Sequence, residues 1–399
     1  MLPTTHMLTR GFMNTPTATA TVLPAPTALA AGISLALFYP TPIVIPIPPE
    51  RQYGCTRLCA VEYGGADPTG KVEATACFQK AVDALPLDLG GEVHVPEGTY
   101  LVDPTVGIAM RSNMHFHMDP KAVIMAKTND AIRYGILKVN NVTQVLVTLG
   151  TLVGDREHHI FTLQKTASEN THEWGHGIQC YGASAITFRG GVIKDCCGDG
   201  ASLSELDVHN PSNDIYFDNV ISTNNRRQGI SVGKSTNVII RGGELAYTNG
   251  TAPECGIDIE PENGGSAENI YLDGVHMHHN TANGFLALQR KNVDSPVKNI
   301  FVHNCISEYN GACGIYAASV QGIDVHNNKL WHNGQTGFNV SAGCTGVHIS
   351  ENTFGYNYNR GGPGKARTPF AMFGVNKTVD MDILTYNTDP NAIGRNYYI

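Results

Sequence analysis

The sequence is poor in charged residues and contains no basic cluster. Only 16% of its 399 residues are charged, and the formal net charge is −8. Proteins that bind nucleic acid usually present a basic surface, so this balance argues against a nucleic-acid partner. Among the ten cysteines, Cys55 and Cys59 form a Cys-x-x-x-Cys pair that lacks the second pair of a zinc site. We therefore expect no metal and no cofactor.

A long uninterrupted apolar run is also missing. The apolar stretch 30–48 is broken by prolines at positions 40, 42, 46 and 48, which exclude a membrane-spanning helix. Three interpretations of residues 1–50 remain open: a cleaved export signal, a disordered tail, or an arm that docks on a partner. The docking arm is favoured because the segment from Ile43 to Ile47 is too apolar to remain in water.

Between residues 174 and 357 the chain lacks the amphipathic runs of about ten or more residues that helical repeats need. Three other marks recur there instead. The first is a glycine that opens a short alternating strand, at Gly177, Gly200, Gly229, Gly256, Gly284, Gly314 and Gly337. The second is an apolar residue in another short strand, at Ile186, Ile215, Val238, Ile270, Ile300, Ile323 and Val347. The third is an asparagine shortly before the next glycine, at Asn224, Asn249, Asn280, Asn310, Asn333 and Asn357.

These marks keep in register at a period of 23 to 30 residues, which predicts a solenoid. Short strands that alternate apolar with polar residues would turn one face toward a continuous interior. Leucine-rich and propeller repeats are disfavoured because their Leu ladders and Trp-Asp marks are missing. The prediction is an all-β, right-handed parallel β-helix of roughly ten coils. The second mark should form one ladder, and the asparagines should occupy left-handed corners.

The chain divides into three predicted segments: the N-terminal arm 1–50, an opening segment 51–110 with a cap helix, and the β-helix 111–399. An apolar stripe at helical spacing places the cap helix near residues 73–85, with Ala74, Phe78, Ala81, Val82 and Leu85 on one face. Such a helix would cover the first coil, which otherwise exposes its apolar interior.

The opening segment resembles a known family. It contains Tyr63-Gly64-Gly65-Ala66-Asp67-Pro68-Thr69-Gly70, then the helical stripe, then a Gly-Gly-x-Val-x-x-Pro-x-Gly-x-Tyr motif from Gly90 to Tyr100. This pattern looks like the start of the pectate-lyase superfamily, although Lys71-Val72-Glu73 stands where an Asp is usual. That group includes phage tailspikes, polysaccharide lyases and hydrolases, and alginate epimerase modules. The resemblance covers about residues 60–360 and implies the β-helix fold, while the reaction stays open.

Charge is concentrated in one coil of the repeat. Asp258 and Glu260 alternate with apolar residues and should point outward together, whereas neighbouring coils carry neutral residues at these positions. Two carboxylates on one strand repel each other, which can raise one pKa into the range of an acid catalyst. Asp199 and Arg227 complete the predicted catalytic set. The alternative is a solvated pair of acids bound by nearby arginines.

A second set of residues is predicted to bind substrate: Arg226, Arg290, Glu173, His176, Asp155 and Tyr316. Arg226 and Arg290 could hold a sugar carboxylate, although a corner arginine can equally bond backbone carbonyls. Glu173, His176 and Asp155 belong to an excursion between residues 154 and 177, a length of loop that commonly carries function. The histidines at 276, 278 and 279 are not expected to bind a metal because no Asp or Glu accompanies them at the spacing of a metal ligand.

The resemblance and the carboxylates together predict a protein that degrades a polysaccharide, most simply an acidic glycan outside the cell. Hydrolysis is favoured narrowly over β-elimination because a carboxylate pair can supply both an acid and a base. The alternative is a non-catalytic spike that binds glycan or serves a structural role in a virion. The resemblance to tailspikes also suggests a homotrimer, attached to a virion tail or capsid through residues 1–50. The expected location is a virion surface or the extracellular space after secretion.

Overall fold

The computed structural model describes residues 53–207, 210–262, 264–291, 294–341, 343–355 and 357, and the backbone of 370–372 and 397–398. The predictions for residues 1–50 and for most of the closing segment 360–399 lie outside the described residues. The described chain contains many short strands and few helices. The strands form three long sheets in which successive coils pair in parallel.

Each coil contributes one strand to each sheet. The strands of sheet A are Arg57–Cys59, Gly91–Val95, Met114–Met118, Thr143–Thr148, Ser184–Arg189, Ser212–Asp218, Ser235–Arg241, Ala267–Asp273, Val297–His303, Val320–His326 and Thr345–Ser350. The strands of sheet B are Thr69–Glu73, Gly98–Val102, Ala122–Ala126, Thr151–Val153, Val192–Lys194, Ile221–Thr223, Glu244–Ala246, His276–His278, Ile306–Glu308, Lys329–Trp331, Thr353–Gly355 and Tyr397–Tyr398. The strands of sheet C are Ile108–Ala109, Arg133–Lys138, Trp174–Tyr181, Ala201–Ser204, Gln228–Val232, Cys255–Ile259, Phe285–Leu288, Ile315–Ala318, Phe338–Val340 and Phe370–Met372.

The fold is the predicted right-handed parallel β-helix. In sheet A, Ile215 pairs with Val238, Val238 with Ile270, and Ile270 with Ile300, so the predicted ladder is confirmed. These side chains are at most 1% exposed. Burying each such aliphatic side chain contributes about 1.5–3 kcal/mol, and the ladder therefore supplies a large part of the stability of the stack.

The repeated glycines mark places where adjacent coils come too close for a side chain. A Cβ on Gly229 would lie 2.3 Å from the carbonyl oxygen of Gly256, and a Cβ on Gly256 would lie 2.6 Å from that of Gly284. These distances are far shorter than a van der Waals contact. The repeated glycines are therefore required by the close spacing of adjacent coils rather than by a turn.

The predicted cap helix is present as Thr75–Asp83. Phe78 is fully buried, and its ring lies 5.3 Å from that of Tyr100 and 6.2 Å from that of Phe116. The helix therefore covers the interior of the first coils, as a solenoid end requires. A short π-helix, Ala60–Gly64, precedes it, and a 3₁₀ turn, Glu169–Thr171, lies in the excursion. No helix among the described residues is long and apolar enough to cross a membrane.

The corner asparagines form a buried stack, and the predicted left-handed conformation is present at Asn224 but not at Asn280, Asn310 or Asn333. The side-chain amide of Asn310 donates to Asn333 at 3.0 Å, and that of Asn333 donates to Asn357 at 2.9 Å. The left-handed residue is the one before each amide, for example Tyr309 with φ of 55°. An amide can accept from one coil and donate to the next, so it is selected for this stack rather than for its backbone.

Two predicted members of the stack are displaced by one residue. Asn225 occupies the buried position, whereas its neighbour Asn224 is the left-handed residue, with φ of 53°. Thr248 replaces Asn249, and the Thr248 backbone N–H donates to Asn280 at 3.1 Å. The hydrogen bonds between side-chain amides begin at Asn280, which donates to Asn310.

Candidate functional site

The outer face of sheet C carries a cleft of about 250 Å³. The charged residues that line it are Arg133, Asp199, Glu205, Arg227, Asp258, Glu260, Glu262 and Arg290. A second cleft, of about 220 Å³, shares four of the lining residues of the first and also reaches Lys138. The two together form a polar groove along the stack, and we refer to them as the sheet C groove. Six of the ten predicted site residues line it: Asp258, Glu260, Asp199, Arg227, Arg290 and His176.

Asp258 is the most unusual residue of the groove. It points outward from its strand as predicted, yet it is only 3% exposed. Its Oδ2 accepts a hydrogen bond from the Gln228 amide at 2.8 Å, while its buried Oδ1 has no partner among the described residues. Burial, followed by repulsion from Glu260 and Asp199, raises the pKa of Asp258 to about 7. The carboxyl group can therefore keep its proton near neutrality.

Asp199 lies two coils before Asp258 and accepts hydrogen bonds from the coil between them. Arg227 donates to its two oxygens at 3.2 and 3.1 Å, and the Ser231 hydroxyl donates to Oδ2 at 2.8 Å. Ser231 is paired in register with Asp258, so one serine lies between the two acids. Burial opposes the charge of Arg227, but the carboxylates around it, Asp199 first, hold the pKa of Arg227 above its ordinary value.

His176 is buried against Asp199 and is neutral. The backbone N–H of Asp199 donates to His176 Nδ1 at 3.2 Å, so the neutral ring carries its proton on Nε2. Burial lowers the pKa of His176 to about 4. The 3.4 Å approach of Nδ1 to the Asp199 carboxylate is therefore a contact with a neutral ring rather than an ion pair.

Glu260 and Arg290 bind each other. Arg290 donates from Nε and Nη2 to the two oxygens of Glu260, at 2.8 and 3.0 Å. This two-point pair is the arrangement described by the alternative interpretation, in which the acid is bound by an arginine. Glu260 thus lies in the groove, but both of its oxygens already accept hydrogen bonds from Arg290. Its negative charge raises the pKa of Asp258.

Arg226 and Asp155 do not line the groove, and substrate binding by them stays a prediction. Arg226 donates to the carbonyl oxygens of Thr171 and Cys197, at 2.5 and 3.3 Å, and so anchors the excursion. Asp155 is 3% exposed and accepts hydrogen bonds from Tyr134 and Asn129. Both are polar residues that fix a loop on the β-helix, because a buried backbone carbonyl or carboxylate must find donors.

Glu173 and Tyr316 occupy the margins of the predicted site. Glu173 is half-buried and raises the pKa of Arg227 through its charge, but it does not line the groove. Tyr316 stands on the same outward row as Asp258, two coils further along, with the nearly buried Leu286 between them.

The groove also contains Arg133, Lys138 and Trp174, which were not predicted as site residues. Arg133 and Trp174 are paired across adjacent coils, and the guanidinium lies 3.7 Å from the centre of the indole ring. The strand of Arg133 precedes the first repeat mark, so the sequence offers no register with which to place Arg133 beside Trp174 and Asp199. Trp174, one of only two tryptophans, was the available signal.

Three groups of histidine, cysteine and acidic residues could each approach a metal ion, namely Glu92 with His115 and His117, Asp155 with His159 and Cys197, and Glu244 with His276 and His278. None of these residues lines the sheet C groove. The chemistry of the groove therefore rests on its acids, its arginines and its aromatic residues.

Comparison with known proteins agrees with this architecture. A family model described as "Right handed beta helix region" matches residues 176–354, and one described as "Rhamnogalacturonase A/epimerase, pectate lyase-like" matches residues 59–252. The fold is a right-handed β-helix, and the matched regions are similar to pectate-lyase-like proteins, so the resemblance predicted from the opening segment is confirmed.

Two relatives come from Bacillus subtilis strain 168. The uncharacterized protein YclG is 27% identical over 49% of this chain and 36% of its own length. The SPbeta prophage-derived uncharacterized protein YorA is 26% identical over 50% of this chain and 38% of its own length. The matched region therefore spans little more than a third of each relative.

Solved structures share the fold at low sequence identity. The A-module of mannuronan C-5 epimerase AlgE4 from Azotobacter vinelandii is 16% identical, with a TM-score of 0.55, over 86% of this chain and 97% of that one. The tailspike protein gp49 of Acinetobacter baumannii bacteriophage Fri1 is 15% identical, with a TM-score of 0.57, over 86% and 62%. An exopolygalacturonase from Thermotoga maritima is 14% identical, with a TM-score of 0.52, over 84% and 93%. At these identities the likeness concerns the fold.

Proposed function

We propose that this chain is a glycoside hydrolase that cleaves an acidic polysaccharide in the sheet C groove. The observation that carries the proposal is Asp258, a carboxyl at the floor of the cleft with a pKa of about 7 and a buried oxygen that has no partner among the described residues. Glycoside hydrolysis needs one carboxyl group that is protonated at the working pH and a second that is ionised. Asp199, which accepts hydrogen bonds from Arg227 and Ser231, supplies the second.

The proposed reaction uses the two acids in turn. Asp258 donates its proton to the glycosidic oxygen as the bond from that oxygen to the anomeric carbon breaks. Asp199 accepts a proton from the attacking water, whose oxygen forms the new bond to the anomeric carbon. Arg227 holds Asp199 in place, and Glu260 helps to keep Asp258 protonated through its charge.

The groove suits an anionic sugar chain. Arg133 and Lys138 supply positive charge beyond the acids, and Trp174 and Tyr181 supply aromatic surface on which sugar rings can stack. The fold relatives are consistent with such a substrate, because they include a tailspike described as a capsular polysaccharide depolymerase and an exopolygalacturonase.

β-Elimination is the weaker alternative. It needs a base that removes a proton next to a uronate carboxylate, and Arg227 is unsuited because its pKa is held above the ordinary value. His176 is a neutral imidazole and could accept a proton, but the same reaction makes no use of a protonated Asp258. The pair of acids therefore favours hydrolysis.

The proposal also covers the assembly of the protein and its location. A phage tailspike and a prophage-derived relative favour a phage-associated protein that acts on glycan outside the cell. A homotrimer attached to a virion tail or capsid through residues 1–50 agrees with the apolar segment from Ile43 to Ile47. The alternative, a spike that binds glycan without cutting it, shares the same groove.

The test is incubation of the protein with a panel of capsular and uronate polysaccharides. Hydrolysis predicts falling viscosity and new reducing ends without new ultraviolet absorbance, whereas β-elimination creates an absorbing double bond. The Asp258→Asn variant should lose at least ~10²-fold of the turnover. Asp218→Asn, a carboxylate on sheet A outside the groove, should retain it. Retention of glycan without cleavage would replace the enzyme with the binding spike, and an Asp258→Asn variant of full activity would remove Asp258 from the mechanism.

A further inference from the structure

The outer face of sheet B brings three potential metal ligands together. Glu244 pairs in register with His276 on the next coil, and His278 follows His276 on the same side of its strand. One ligand atom from each residue lies within 4.8 Å of the others, and His278 Nε2 lies 3.4 Å from Glu244 Oε1. Two ligands on one zinc ion at bonds of about 2.0–2.1 Å are separated by about 3.3 Å. The observed separation is therefore close to that of a bound ion.

Each histidine has a partner that fixes its ring. His276 Nε2 lies 3.1 Å from Glu308 Oε1, which leaves His276 Nδ1 for another ligand. His278 Nδ1 lies 2.8 Å from His279 Nδ1, which leaves His278 Nε2 on the side of Glu244. Metal-binding histidines usually donate their second N–H to a carboxylate or another acceptor, which fixes the tautomer. Here Glu308 and His279 play that part.

We propose that Glu244, His276 and His278 bind a Zn²⁺ ion on the outer face of sheet B, with a fourth position open to water. Two imidazoles and one carboxylate form a ligand set that suits zinc, whereas Ca²⁺ and Mg²⁺ prefer oxygen ligands alone. Among the described residues, Glu244 and Glu308 form ion pairs only with these imidazoles, so no lysine or arginine competes for them. The side chains of Glu244 and His276 are about one-third exposed, which gives an ion access.

The other two clusters are less suited to an ion. In the first, Arg57 already lies 2.7 Å from Glu92, so a cation would have to displace a guanidinium. In the second, all three residues are buried, and the Asp155 oxygens already accept hydrogen bonds from Tyr134 and Asn129. In the cluster of Glu244, His276 and His278, by contrast, each histidine keeps one ring nitrogen available for an ion, and a neighbouring residue orients each ring.

This site overturns the reasoning from sequence that no acid accompanies the histidines. Glu244 and Glu308 lie one coil before and one coil after His276 and His278. In a solenoid, residues about one repeat apart are neighbours, so ligands on two coils with an orienting acid on a third leave no short motif.

The test is titration of the full-length protein with ZnCl₂ after dialysis against a chelator, followed by calorimetry. Wild type should bind one equivalent, and His278→Gln and Glu244→Gln should each abolish this binding. Glu308→Gln should weaken it by about 10–100-fold because the ring of His276 loses its orienting partner. The matched control is His115→Gln/His117→Gln, which removes the cluster beside Glu92 and should leave the affinity unchanged.

Two further measurements keep the result decisive. Circular dichroism establishes that each variant is folded, and zinc should raise the unfolding temperature of wild type but not of His278→Gln. Co²⁺ in place of zinc should give the spectrum of nitrogen and oxygen ligands, without the charge-transfer band of a thiolate. Absence of stoichiometric binding, loss of binding only in the control, or a thiolate band would each overturn the proposal.

Discussion

Asp258 and Glu260 show how two acids on one strand come to differ. Both point outward from sheet C, but Asp258 is covered and its pKa is about 7, whereas Glu260 has Arg290 as a two-point partner. The environment separates them into a protonated acid and an ion-paired carboxylate. The charges of Glu260 and Arg290 also act in opposite directions on the pKa of Asp258.

The opposite effects of Glu260 and Arg290 on the pKa of Asp258 predict how the activity should depend on pH. A general acid works only while protonated, so hydrolysis should decline as pH rises through about 7, the pKa of Asp258. Glu260→Gln removes a negative charge and frees Arg290, so the pKa should fall and the alkaline limb should move to lower pH. Arg290→Gln removes a positive charge, so the limb should move to higher pH. The measurement is kcat/KM against pH on the polysaccharide that the protein cleaves.

Wild type and Asp218→Asn are the controls for this experiment, and both should show the same alkaline limb. Shifts of the same sign in Glu260→Gln and Arg290→Gln would show that another group sets the limb.

At the scale of single elements, the amide stack joins the corners of successive coils. Asn333 donates to the Ser307 carbonyl oxygen at 2.9 Å and to Asn357, and its Oδ1 accepts from the backbone and side chain of Asn310. It is 1% exposed, so every one of these partners would lose its hydrogen bond away from water.

Asn333→Ala should therefore lower the free energy of unfolding by about 3 kcal/mol, because each unsatisfied buried group costs about 1–3 kcal/mol. Denaturant unfolding followed by circular dichroism measures this change. Asn213→Ala, a half-exposed amide on the outer face of sheet A, should change stability by less than about 1 kcal/mol. Equal losses of unfolding free energy in the two variants would mean that the buried amide stack contributes no more to stability than a half-exposed amide does.

The coils were predictable because their signal repeats. Ile215, Val238 and Ile270 recur in phase, and the error of one residue at Asn224 arose because two adjacent asparagines fit the same corner. The site was less predictable because burial depends on neighbouring coils. Alternation alone gave Asp258 as an outward residue, but only the structure shows that it is covered.

Contacts between residues on adjacent coils were also difficult to predict from the sequence. Arg133 reaches Trp174 across a coil whose repeat marks are weak, and Glu244 reaches His278 across a coil boundary. Arg226 and Arg227 could not be told apart from sequence, because adjacency says nothing about which way each side chain points at a corner. One arginine lines the groove and the other anchors the excursion.

At the scale of the whole molecule, the three sheets carry separate tasks. Sheet C presents the proposed catalytic groove, and sheet B presents the proposed zinc site. The interior shared by the sheets is a continuous column of aliphatic and aromatic side chains. Because each coil contacts mainly its neighbours, the outer faces can change without loss of the interior.

The proposed trimer gives the last prediction. Mass photometry of the intact chain should show a particle of three chain masses if the apolar segment around Ile45 holds copies together. Replacing Ile43, Ile45 and Ile47 by serine should dissociate that particle, because the apolar area available for burial between chains is lost.

The matched control replaces three polar residues of the same arm, Thr17, Thr19 and Thr21, by serine and should leave the trimer intact. Intact-mass spectrometry of each sample establishes that residues 1–50 are still attached. A monomer with this segment present would rule out assembly through it, and a secreted protein that begins near residue 50 would identify the segment as an export signal instead. The groove lies on sheet C of each chain, so cleavage of polysaccharide by a monomer would leave the catalytic proposal in place while removing the assembly.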